Sequence, residues 1–219
     1  MKRINNIVLL LGLIACSSIS CKDITVTPQI ATPESTRMWQ LTWLDQATCR
    51  PPCWQNITPG LTGRDKALSI LENMSGVEIT YNKKDGLTWY FGTKREGGNI
   101  TASAEGIVSS IRLGSTNEDL QLNGVVAAYD FPKYVQPFDC RDGWCATALI
   151  YPDLGMLLEV FVTNENEDNA APQIEILPET IVYRVYFIKP GIEDTLNFLR
   201  SENSLLTIDM EWKGYGEYP

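Results

Sequence analysis

Apolar residues along the chain recur at two spacings, one helical and one alternating, and the two follow each other in a regular order. Ala67, Leu68, Leu71 and Met74 fall on one side of a helix. The turn Pro59-Gly60 precedes it, Thr62 is placed to cap it, Asp65 is placed to reach back to the Thr62 amide, and Gly76 marks its end. Upstream, the apolar and aromatic segment 38–47 is short for a firm assignment, and a helix packing Trp39 and Trp43 on one face is the preferred reading. Leu87, Trp89 and Phe91 then alternate with Thr88 and Tyr90, as in a strand with one buried face. Gly97-Gly98 reads as a turn, and 100–103 with 107–113 as a hairpin about Glu105-Gly106. A second helix is signalled by cap spacing from Thr116 to Asp119, carries Leu122, Val125, Val126 and Tyr129 on one stripe, and stops at Pro132. A further hairpin, 146–151 with 156–162, turns at Pro152 to Gly155, and strands follow over 173–176 and 180–188. Pro190-Gly191 opens a last helix that spaces Ile192, Leu196 and Leu199 for burial.

Laid side by side, these segments repeat. Ile100, Ile107, Val108, Ile111 and Leu113 recur 74 positions later as Ile174, Ile181, Val182, Val185 and Phe187. The order helix, hairpin, hairpin is therefore expected twice, over about 57–113 and 115–188, with the C-terminal helix added. The expected fold is α+β, tandem helix and antiparallel-sheet units forming an open sheet with helices on one face. Leu87, Trp89, Phe91, Ile111, Leu113, Ile181, Tyr183, Val185 and Phe187 would face the helices. Strand alternation then sends Thr88, Tyr90, Ser110, Arg112, Arg184 and Tyr186 to the opposite face, together with Glu159 and Phe161. Tyr, Phe and Arg over small residues have the composition of a recognition surface.

Charge and composition narrow the chemistry. The chain is 44% hydrophobic and 21% charged, ordinary for a globular protein. It carries 18 Lys and Arg against 27 Asp and Glu; loss of a leader containing Lys2 and Arg3 would leave 16 bases and a net charge of −11. Such a surface repels phosphate backbones and no basic cluster offsets it, so nucleic acid is not an expected partner. The sequence has no histidine, which removes Ser-His-Asp and Cys-His nucleophiles and His-based zinc and haem sites. No cofactor or metal is expected; the acidic insertion 164–169 lacks the glycine and terminal glutamate of an EF-hand loop. Chemistry resting on two carboxylates, as in glycan hydrolysis, is the alternative function, with Glu159 and Asp153 as candidates by count alone. Three sequons, at Asn56, Asn73 and Asn99, read as coincidence, since Asn73 falls in a helix.

The N-terminus specifies a compartment. Lys2 and Arg3 precede an apolar run from Ile7 to Ala15 that is too short to span a bilayer as a helix, the pattern of a secretion leader over 1–15. Its end, Leu13-Ile14-Ala15-Cys16, resembles the bacterial lipobox, which implies cleavage before Cys16, a diacylglycerol thioether on its sulfur and an N-acyl chain such as palmitate. Several acyl chains would hold the protein on a bacterial membrane, extracytoplasmic, at roughly 0.8 kcal/mol per buried methylene. Residues 16–35 are rich in Ser, Thr and Pro and read as a tether, leaving 36–219 as a single domain. With Cys16 acylated and Cys21 in the tether, Cys49, Cys53, Cys140 and Cys145 remain. Four cysteines allow three connectivities, and the local pairs Cys49–Cys53 and Cys140–Cys145 are the expected ones in an oxidising compartment.

Pro59-Gly60-Leu61-Thr62 before an amphipathic helix, and Tyr129-Asp130-Phe131-Pro132 closing the next, resemble the turn-capped helix and Gly-x-Pro helix exit of the small outer-membrane assembly lipoproteins. Their fold is similar to that of the β-lactamase inhibitor proteins. Asp130 stands where that pattern has Gly, and the first helix has no exit proline. Cys49-x-x-Pro52-Cys53-Trp54 with Ile57-Thr58-Pro59-Gly60-x-Thr62, and the ending Trp212-Lys213-Gly214-Tyr215-Gly216, resemble a group of bacterial lipoproteins with no assigned activity. The expectation is a non-enzymatic, lipid-anchored module whose sheet face docks an envelope or extracellular protein. Nothing in the sequence specifies an oligomeric state.

Overall fold

A computed structural model describes residues 44, 49–91, 96–114, 120–141, 143–164, 173–203, 208 and 210–219. The leader, Cys16, the tether, all but residue 44 of the helix expected over 38–47, the cap residues 116–119 and most of the acidic insertion lie outside the described residues. The elements run α1 (Arg64–Glu72), β1 (Val77–Lys83), β2 (Gly86–Phe91), β3 (Glu96–Ala102), β4 (Val108–Gly114), α2 (Leu122–Tyr129), β5 (Tyr134–Arg141), β6 (Trp144–Tyr151), β7 (Met156–Thr163), β8 (Ile174–Ile176), β9 (Val182–Ile188), α3 (Ile192–Asn203), β10 (Met210–Glu211) and β11 (Gly216–Tyr218). Nine strands form one open antiparallel sheet in the order β1-β2-β3-β4-β9-β7-β6-β5-β10, while β8 pairs with β11 in a ribbon. The fold is α+β, with three α-helices among the described residues and a sheet that does not close. Among the described residues no helix is long and apolar enough to cross a membrane.

Two four-strand meanders, each preceded by a helix, meet at the β4–β9 pair, where Ile111 faces Phe187 and Leu113 faces Val185. The helix starts are tied to their sheets in the same way. Arg64 N–H donates to the Gly106 carbonyl at 2.8 Å and Leu122 N–H to the Thr180 carbonyl at 2.9 Å. Val108 N–H donates to the Thr62 carbonyl at 2.9 Å and Val182 N–H to the Leu120 carbonyl at 2.8 Å. Each carbonyl that meets a helix start belongs to the turn leading into the last strand of its meander, so helix and sheet lock together at the point where the helix has unpaired donors.

The same bonds correct the expected caps. The N-caps are Gly63 and Gln121, neither with a side-chain cap bond. The Thr62 hydroxyl instead accepts the Thr58 N–H at 2.8 Å, closing the turn before the helix, and Asp65 pairs with the neighbouring Arg64. The second helix starts at Leu122, several residues beyond the cap spacing, and the first ends at Glu72, short of Gly76.

Gly97-Gly98 is also not a turn: both lie inside β3, opposite Tyr90 and Trp89. Three strands in the sheet have no counterpart in the sequence pattern: β1, β5 and the two-residue β10. β1 alternates Val77, Ile79 and Tyr81 with polar residues, but a register shift after Ile79 breaks the period, and β5 contains Pro137 beside a second shift.

The main core lies on one face of the sheet. Leu87, Trp89, Ile100, Ile111, Leu113 and Phe187 meet Ala67 and Leu71 of α1 and Leu122 and Val125 of α2. Full burial of each large apolar side chain stabilises by about 1.5–3 kcal/mol. The stretch 49–60 feeds this core. Cys49 and Cys53 are at disulfide distance across Pro51 and Pro52, and a tight turn at Gln55-Asn56 brings Trp54 and Ile57 into mutual backbone pairing. Trp54, 1% exposed, stacks on Trp89 with ring centroids 5.3 Å apart. Cys140 and Cys145 pair across the β5–β6 turn, with the Cys145 side chain in the same core.

The third helix departs from the expected layout. Leu199 of α3 is buried in a separate cluster with Ala148, Ile150, Leu157 and Ile188, whose side chains point away from the main core. α1 and α2 therefore share one face, as expected, and α3 covers part of the other.

Asp130 ends α2 at φ 68° and ψ −169°, backbone territory almost reserved for glycine. Its own Oδ1 accepts the Phe131 N–H at 2.9 Å and so supports the turn. Asp130→Gly removes that bond but also the steric cost of a Cβ. The expected outcome is a gain of about 1 kcal/mol, read as a higher urea midpoint at unchanged slope.

Candidate functional site

Strand parity places Thr88, Tyr90, Arg112, Glu159, Phe161, Arg184 and Tyr186 on the sheet face opposite α1 and α2, as the alternation predicts. The structure does not leave them equally open. Glu159 is 5% exposed. Its Oε1 accepts Arg184 Nη1–H at 2.7 Å and its Oε2 accepts the Tyr186 hydroxyl at 2.8 Å. Tyr186 in turn lies under α3, its ring 5.3 Å from that of Phe198. Glu159 and Tyr186 are thus internal supports of the face rather than contact surface.

Electrostatics follow from this packing. Burial raises the Tyr186 pKa, and the adjacent Glu159 charge and hydrogen bond raise it further. For Arg184, burial works against the charge, but the hydrogen bond and charge of Glu159 outweigh it and hold the guanidinium above its ordinary value. Tyr151, on the core side, is raised by burial and then by Tyr215 and Asp130. A phenol whose pKa is raised on folding contributes stability that is complete below the unfolded value of about 10 and is lost as pH climbs toward the folded one. Urea midpoints are therefore expected to hold up to about pH 10 and to fall as pH rises beyond it. Replacing Tyr151 and Tyr186 together by Phe should make that fall shallower.

Tyr183 was expected inward and points outward. Glu159 pairs with Arg184 but the next residue, Val160, pairs with Val182, so Tyr183 is the extra residue of a bulge. Val182 takes the core position. Tyr183 is 38% exposed and its ring lies 4.9 Å from Phe161, itself 43% exposed. Trp144 extends the row, its ring 5.2 Å from Phe161 in edge contact. Guanidinium groups close both ends: Arg184 sits 4.8 Å from the Tyr183 centroid and Arg141 5.5 Å from Trp144. Trp144 and Arg141 escaped the sequence reading, although counting outward from the buried Cys145 would have placed Trp144 on this face.

The carboxylates named for hydrolysis are not brought together. Asp153 is exposed in the 3₁₀ turn between β6 and β7, while Glu159 lies three residues into β7 with both oxygens engaged. Among the described residues no group of three His, Cys, Asp or Glu is arranged to hold a metal ion.

The class that fold and face define is an open-faced antiparallel α+β domain with two cysteine clamps. No family model and no curated protein matches the chain. Among solved structures it is similar to a DUF4309 family protein, YjgB, from Bacillus subtilis subsp. subtilis str. 168, with 10% identity and a TM-score of 0.41, over 71% of this chain and 99% of that one. At that score and identity the likeness establishes no shared activity.

Proposed function

We propose that the domain is a non-enzymatic binding module that docks an envelope or extracellular protein, held at a bacterial membrane by a lipid on Cys16. The observation that carries the docking reading is the row of half-buried Trp144 with exposed Phe161 and Tyr183, Arg141 and Arg184 at its ends. Trp, Tyr and Arg dominate binding energy at interfaces because they bury much area at small entropic cost and keep a polar handle. Here they stand on inner strands and Arg184 is held by the buried Glu159, so the surface is ordered before a partner arrives.

The test is photo-cross-linking from position 163, at the edge of the row, in the native membrane, with neighbours identified by mass spectrometry. Phe161→Ala and Tyr183→Ala are expected to lower capture of the cross-linked neighbour at least tenfold, with melting temperatures close to wild type. Equal capture by both variants, or a collapse of stability in both, would remove the row as a docking surface. The anchor is tested separately: the mature N-terminal peptide is expected to carry diacylglycerol and acyl mass on Cys16, and an unmodified cysteine there would refute it.

A further inference from the structure

On the same face but beyond α3, two shallow depressions meet at Thr101. One, of ≈ 280 Å³, is lined by Tyr81, Asp85, Thr88, Asn99 and Thr101. The other, of ≈ 230 Å³, lies between the β3–β4 hairpin and α3 and is lined by Thr101, Ser109, Ser110, Asn197 and Phe198. We infer that this groove binds a neutral oligosaccharide of about two sugar rings, one in each depression.

The floor is built for hydroxyl groups. Thr88 stands opposite Asn99, and Thr101 opposite Ser110, so four short polar side chains form two adjacent cross-strand pairs. Asn99 Nδ2–H donates to the Leu87 carbonyl at 3.2 Å and to Thr88 Oγ1 at 3.1 Å, which fixes the amide and leaves Oδ1 toward Thr101, whose hydroxyl donates to it at 3.4 Å. Ser109 Oγ donates to the Thr101 carbonyl at 3.1 Å. Each hydroxyl in this set keeps further donor or acceptor capacity, as a sugar hydroxyl does, and the set is ordered without a ligand. Tyr81 at one end and Phe198 at the other supply apolar ring surface for the C–H faces of a pyranose.

Charge argues for a neutral ligand. Of the charged residues that line the two depressions, Lys189 pairs with Asp194 at 3.4 Å and Asp85 accepts the Tyr81 hydroxyl at 2.9 Å, so each has a partner within the groove. The chain as a whole is at −9, which disfavours acidic glycans. An extended peptide is disfavoured by topology: β2, β3 and β4 are inner strands whose backbone groups are paired on both sides, leaving none for strand addition.

Binding is tested by titrating the isotope-labelled domain with cellobiose, maltose and N,N′-diacetylchitobiose, and with a sulfated disaccharide as an acidic comparison, following backbone amide resonances. At least one neutral sugar is expected to shift the amides of Thr88, Asn99, Thr101 and Ser110 saturably. Thr101→Arg, which fills the junction from an exposed position, should abolish the shifts, and Asn197→Ala on the outer side of α3 should weaken binding about tenfold. Tyr183→Ala should leave it unaltered, which separates this groove from the aromatic row. Absence of shifts at these four amides with all three neutral sugars overturns the inference. So does retention of binding in both groove variants, or equal binding of the sulfated sugar.

Discussion

Glu159→Ala is expected to destabilise the domain by about 2–3 kcal/mol, among the largest effects of any single polar residue in it. The carboxylate is almost fully buried and meets two partners at 2.7 and 2.8 Å. Its removal strands a guanidinium that is two-thirds covered and a phenol wedged beneath α3. The part of Arg184 that still touches water limits the loss, which is why it falls below the roughly 3–5 kcal/mol of a fully buried broken pair. Glu159→Gln keeps an acceptor for the Tyr186 hydroxyl and should cost about half as much. A double change of Glu159 and Arg184 to Leu should recover most of the loss, because it removes both desolvation costs at once. Urea denaturation of the three variants decides the matter. A loss below about 0.5 kcal/mol for the Ala variant would show that the pair is solvated and that Glu159 is no internal support.

Gly98→Ala is expected to cost about 3 kcal/mol, the upper end of overpacking effects, from the addition of one methyl group. A Cβ on Gly98 would run into the Trp89 indole and stand 2.7 Å from the Arg112 carbonyl oxygen. The indole has little room to give, since its other face is stacked on Trp54 and it is fully buried. Relief would therefore require β3 to shift against both β2, which carries Trp89, and β4, which carries Arg112. Tryptophan fluorescence is the second readout: a shift to longer wavelength is expected as Trp54 or Trp89 reaches water. Wild-type stability and spectrum in this variant would mean that β3 crosses Trp89 at a greater distance.

That glycine also shows where sequence reading and structure part. A Gly-Gly pair most often buys a turn, and the residues between Phe91 and Ile100 offered no other signal. Gly98 is instead a glycine because an indole on the neighbouring strand occupies the space of its side chain, and that neighbour is set by register. Likewise, Thr62 and Asp65 have the spacing of a capping box, yet the first helix takes a backbone carbonyl from Gly106. A helix start needs only an acceptor, and a distant carbonyl serves it as well as a local hydroxyl. The local signals were present in each case and lost to a tertiary partner.

Parts of the candidate site were legible. Alternation alone assigned Thr88, Tyr90, Arg112 and Phe161 to the outward face, and both cysteine pairs followed from their short separations. Tyr183 was misplaced because a bulge adds one residue, and a period of two counted through it gives the wrong side for everything beyond.

Element types with regular periods, the antiparallel α+β class, the local cysteine pairs and the parity of uninterrupted strands are all readable along the chain. These depend on interactions a few residues apart. Which half of the outward face is open depends instead on long-range packing. α3 lies over Tyr186 and Phe138, leaving Phe161 and Tyr183 exposed beside half-buried Trp144 at one end and the hydroxyl groove on the opposite flank. That choice rests on where an amphipathic helix near the C-terminus finds an apolar surface to cover, and residues on four strands, β5, β6, β7 and β9, contribute to that surface.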